Sequence, residues 1–174
     1  MITKEENLEK LAEEKNKTEA HESKQGPVAR LYSLITGLMT KHKAHPISVH
    51  IPNGVIPVAV LFLVMSFIFE AMGFARASFY NLVVVALAMP MVLFSGFVDW
   101  KAKYKGAMTK VFKRKIAMGL IVFVLSWALV AWGLLDPGVS EAGFGRYAFL
   151  AVLLVMLGAT GYAGNLGGKL VFRD

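Results

Sequence analysis

The chain contains no cysteine. That absence excludes disulfides, thiolate-held iron–sulfur clusters, covalent c-type haem and cysteine-type zinc sites, and it leaves the redox compartment unread. A phosphate-cradling glycine loop, a His-Glu-x-x-His pair and a serine-centred nucleophile turn are also missing, which argues against catalytic activity of the chain on its own. No signal-peptide core is expected, because residues 1–26 are polar and the first apolar run is too long and too distant from Met1. No lipidation motif is present. Charge itself is absent from four long stretches: Ile51–Phe69, Ala77–Val98, Ile116–Leu135 and Tyr147–Gly168 hold no Asp, Glu, Lys or Arg.

Each of those runs is long enough to cross a bilayer, since a helix needs about 20 mostly apolar residues to span roughly 30 Å of hydrocarbon. Lipid offers backbone groups no hydrogen-bond partners, so the runs should be helices. Of 174 residues, 56% are hydrophobic and the mean hydropathy is +0.54, whereas a soluble domain is about 45–50% apolar. The expected fold is all-α, an integral membrane four-helix bundle with spans at about 46–73, 77–100, 115–135 and 146–168.

The polar residues lie around these runs. Residues 1–26 carry seven Glu and five Lys. They read as a charged cytosolic tail, with Glu6–Lys10 and Glu13–Lys17 as helical pairs but too little apolar surface to dock. Gly26-Pro27 interrupts the chain. Over 27–44, Val28, Leu31, Leu34/Ile35 and Leu38/Met39 recur at helical spacing. This is an N-terminal amphipathic helix lying in the interface, with Lys41-His42-Lys43 at headgroup level, or the same stripe packed against the bundle. The loop Lys101–Lys115 holds seven Lys/Arg and no acid, against Arg76 and Arg146 on the other side. Positive loops stay in the cytoplasm, so both termini are expected there. The net charge of +7 then belongs to the membrane flanks and implies a lipid bilayer as partner rather than nucleic acid.

Chemistry is sought where polar residues interrupt the grease. The densest group is His45-Pro46-Ile47-Ser48-Val49-His50-Ile51-Pro52-Asn53-Gly54. Pro46 suits the first turn of a helix with His45 at the cap. Pro52 and Pro57 are expected to bend the first span and free backbone carbonyls. His45 and His50 are candidate metal or haem ligands, or quinone-binding groups; equally, they are interfacial anchors bonding backbone or lipid phosphate. Five residues on a helix are about 140° apart around the axis, so the pair cannot clamp one haem from both faces. A second axial ligand would come from a second copy of the protein, His42 or a methionine such as Met118. Asp99, closing span two, is either an ion-pair partner of Lys101, Lys103 or Lys115, or a carboxylate orienting a histidine. Gly164, Gly167 and Gly168 belong to a glycine row in span four, read as a close helix–helix packing surface or as a groove for a flat cofactor. Chain order brings His45, His50, Asp99 and these glycines to one end of the bundle.

At His45-Pro-x-x-Val-His-x-Pro, Gly96-x-x-Asp-Trp and Leu166-Gly-Gly-x-Leu-Val171, the sequence resembles the bacterial membrane family filed as domain of unknown function 2231, over about residues 42–172. The resemblance implies four spans in a bacterial cytoplasmic membrane and an association with haem or redox chains. Some members carry further histidines near span three or after the Gly-Gly, where this chain has Lys115 and Lys169. The expectation is a small redox-associated membrane subunit binding b-type haem or quinone near the cytoplasmic face, with a protein partner or a homo-oligomer. The alternative is a noncatalytic structural or assembly subunit.

Overall fold

In the computed structural model the described residues are Glu13, 26–141 and 143–171, and all their regular structure is helical. The charged tail, Glu13 apart, therefore lies outside the described residues, as does Arg173. The chain divides after His42. On the N-terminal side, α1 (Pro27–Lys41) starts with proline in its first turn, where a missing N–H costs nothing. None of its residues is buried, and Val28, Leu31, Leu34 and Leu38 are all exposed.

The second unit contains α2 (Ala44–Ser48), α3 (His50–Phe69), α4 (Met72–Tyr104), α5 (Lys110–Leu135) and α6 (Gly143–Val171). Helices α3 to α6 pack as neighbours in chain order, and α6 closes back on α3, so the bundle runs up and down around one core. Four stretches are long and apolar enough to cross a membrane: Ala44–Phe69, Met72–Tyr104, Lys110–Leu135 and Gly143–Lys169. The first span ends earlier than expected. Glu70 takes a left-handed conformation (φ 50°) and turns the chain after Phe69. The second runs past Trp100 to Tyr104, where Lys105 and Gly106, both at positive φ, reverse it.

Helical periodicity selects the core. Ile56, Ala59 and Leu63 from α3 meet Leu82, Val85, Ala86 and Met89 from α4, Val122 and Leu129 from α5, and Phe149, Leu153 and Met156 from α6. Serines punctuate the same faces. The Ser78 hydroxyl donates to the Ala59 carbonyl at 2.7 Å and so ties α4 to the backbone of α3. Close approach also needs glycine at Gly133, where a Cβ would run into the Phe79 ring.

The glycine row of span four does not serve close packing. A Cβ on Gly158, Gly161, Gly164 or Gly168 would meet nothing within 4 Å. The buried face of α6 is instead set by Phe149, Leu153, Met156 and Ala159, and Gly158, Gly161 and Gly164 are exposed.

Candidate functional site

The local fold at the first span explains which histidine is turned inward. Pro52 has no N–H to offer the carbonyl of Ser48, four residues back, and its ring crowds that carbonyl. The helix breaks there: α2 ends at Ser48 and α3 restarts at His50 through Val49. Pro52 thus sits in the first turn of α3, and Pro57 is the proline inside it. Lys43, at φ 52°, caps α2, so His45 lies within the first turn rather than at the cap. Helix α2 packs on α4 and places the His45 ring over Gly96, where a Cβ would sit 3.0 Å from the ring carbon Cε1. A larger residue at position 96 would push the imidazole away.

His45 is fixed by serines. Its Nδ1 lies 3.2 Å from Ser95 Oγ. Ser95 Oγ also lies 3.0 Å from the Val92 carbonyl and 3.0 Å from Ser48 Oγ, and Ser48 Oγ lies 3.1 Å from the His45 carbonyl. These are four contacts, and two of them end on carbonyls that only accept. The two hydroxyls supply one proton each, so a proton on Nδ1 raises the number of contacts that can be hydrogen bonds from two to three. With both serines buried, the better-satisfied arrangement wins. A proton on Nδ1 is therefore the better-satisfied tautomer of a neutral ring, with the Ser95 hydroxyl and the Val92 carbonyl both at hand, and that tautomer leaves a lone pair on Nε2.

His45 lines a cavity of about 400 Å³ between α2, α4, α5 and α6. Its other polar walls are Asp99, Lys103 and Lys115, and its apolar walls include Val49, Leu93, Phe97, Trp100, Phe112 and Ile116. Gly96, Gly119 and Gly167 thin the wall on three helices. The loop that closes this end is held by Trp100 Nε1 donating to the Ala107 carbonyl at 3.0 Å and by Tyr104 packing edge-on to Phe112, centroids 4.6 Å apart. The Thr109 hydroxyl caps α5 by accepting from the Phe112 N–H.

Of the residues singled out from sequence, His45, Asp99 and Gly167 meet at this cavity. His50 is exposed and does not line it; neither do Gly164 and Gly168. Met118 packs against the core, not into the cavity. Asp99 is buried, but its Oδ2 accepts from Lys103 Nζ at 2.8 Å, one turn along the same helix. Asp99 thus makes the ion pair that is one of the two roles expected of it, and the side chain at hydrogen-bond distance from the His45 ring is Ser95, which the sequence reading did not single out. At the opposite end, Arg76 pairs with Glu141 at 2.7 Å rather than with Glu70. Among the described residues no three His, Asp or Glu side chains are grouped to hold a metal ion. Of His45 and His50 only His45 lines the cavity, so the site does not fit a b-type haem held by these two together.

Four apolar spans around a core, with a mostly apolar cavity that is basic at one end, define an integral membrane protein. The chain belongs to the family described as predicted membrane protein (DUF2231), whose model matches residues 41–174. No curated protein and no solved structure matches it.

Proposed function

We propose that this protein is a redox-associated membrane subunit that binds the headgroup of a quinone-class molecule in the cavity at the basic end. The observation that carries the reading is that His45 lines a mostly apolar cavity while its Nδ1 lies 3.2 Å from Ser95 Oγ, an arrangement that favours a lone pair on Nε2. A lone-pair nitrogen accepts from a quinol hydroxyl, and the Lys115 ammonium donates to a carbonyl oxygen. The aromatic and aliphatic walls suit a flat ring and an isoprenoid chain. The seven positive residues of Lys101–Lys115 favour a cytoplasmic position for this end, with both termini on that side. The exposed apolar stripe of α1, followed by Lys41 and Lys43, suits a helix lying at a membrane surface.

Fluorescence titration tests the reading. A naphthoquinone with a short isoprenoid tail, added to protein in nanodiscs, should quench Trp100, which lines the cavity. His45→Ala should weaken the binding by about tenfold or more, the worth of one hydrogen bond to a well-placed partner. Quenching of equal strength in wild type and in His45→Ala would contradict the reading.

A further inference from the structure

The charges of the cavity do not balance. Its ionisable walls include His45, Asp99, Lys103 and Lys115, one group from α2, two from α4 and one from α5. Among the described residues Asp99 is already engaged by Lys103 at 2.8 Å. Lys115 makes no ion pair and no hydrogen bond there, although Asp99 lies within its electrostatic range. It is half-buried, and its Nζ lies 3.5 Å from the point a Cβ on Gly167 would occupy. The ammonium therefore lies in ordinary contact range of α6 at Gly167. The other basic residues of this part of α5, Lys110, Lys113 and Arg114, are exposed and line no part of the cavity.

The Lys115 ammonium keeps some contact with solvent, yet a charge even partly withdrawn from water gains when an opposite charge is supplied beside it. Asp99 and Lys103 cancel, and Lys115 leaves one positive charge without an ion-pair partner among the described residues, beside a mostly apolar chamber. We infer that the cavity takes a singly charged acid on an apolar body and that Lys115 is the residue that selects it. This rests on the cavity proposed above and adds the charge of the occupant. The shared chemistry is one ionised oxygen next to an apolar ring or chain. It has two sources: an acidic hydroxyquinone, or a lipid-derived acid such as a fatty-acid carboxylate. Lys115 would meet the ionised oxygen while His45 Nε2 accepts from a second, protonated group or from water. A salt-strengthened hydrogen bond to the ammonium is the source of the preference.

The test uses the full chain in nanodiscs of neutral lipid, titrated with four probes: a hydroxynaphthoquinone, its methyl ether, oleate and methyl oleate. Wild type should bind at least one acid about tenfold to a hundredfold more tightly than its ether or ester, the range for a hydrogen bond to a charged group. Lys115→Met should abolish that discrimination. Lys113→Met, which removes an exposed charge from the same helix, should keep it and so controls for general electrostatics. Circular dichroism and thermal melts confirm that each variant is folded. Discrimination of the hydroxyquinone points to a quinone source. Discrimination of oleate with no quinone bound supports the inference and overturns the quinone reading. Equal binding of acids and neutral counterparts by wild type, or discrimination that survives Lys115→Met, overturns the inference; tight binding of the methyl ether in that case leaves the quinone reading standing.

Discussion

At the residue scale, the site depends on small polar groups more than on the charged ones. His45 and Asp99 were legible because chain order brings the start of span one and the end of span two to the same end of the bundle. Ser95 was not. A serine in an apolar run ordinarily bonds the carbonyl one turn back, and Ser95 does that with Val92; that it also receives the histidine depends on how α2 packs on α4. His50 could not be separated from His45 by spacing alone: five residues along a helix put them on different faces, and only the packing of α2 on α4 shows which ring turns inward. Ser95→Ala should therefore weaken quinone binding by about tenfold, because it frees Nδ1 and leaves the ring without its anchor. Asp99→Asn should act differently. Lys103 is 42% exposed on its side chain, so losing this pair should cost the fold only about 0.3–0.5 kcal/mol. Binding assays on the two variants, with thermal melts, check both statements. Loss of binding in Asp99→Asn with binding retained in Ser95→Ala would show that the carboxylate, not the hydroxyl, orients the imidazole.

At the element scale, four spans follow directly from the uncharged runs, since length and apolar composition leave no other structure for them in lipid. Their ends were less legible. The helix of span two continues to Tyr104 because Lys101 and Lys103 extend from a helix end into water as readily as from a loop. The glycines mislead more. A row of small residues is the usual mark of close helix packing in membranes, yet Gly164 faces open space and Gly133 meets Phe79. What distinguishes them is the facing residue on another helix, which a single sequence does not show. Gly133→Leu should destabilise the bundle by about 1–3 kcal/mol or more, the cost of overpacking, while Gly164→Leu should leave its melting temperature near wild type. A detergent melt in which Gly164→Leu is the more damaged variant would contradict the packing described here.

At the scale of the whole molecule, polar chemistry is concentrated at one end. The end with His45, Asp99, Lys103 and Lys115 holds the cavity; the other holds the exposed Arg76–Glu141 pair and Arg146, whose guanidinium stacks 3.6 Å from the Phe67 ring centroid. The charge asymmetry predicts that the cavity end faces the cytoplasm. Reporter fusions at Asp174 should be active on the cytoplasmic side, and fusions near Gly138 on the other; the reverse pattern would invert the orientation. The central claim is that the cavity receives a quinone-class molecule through His45. It is tested most directly by purifying the protein from membranes in mild detergent, recording its absorbance spectrum, and analysing its organic extract against that of His45→Ala. The account predicts a near-stoichiometric quinone in the wild-type extract, its loss from the folded variant, and no Soret band. A wild-type extract free of quinone, or a Soret band that shifts on reduction, would contradict it.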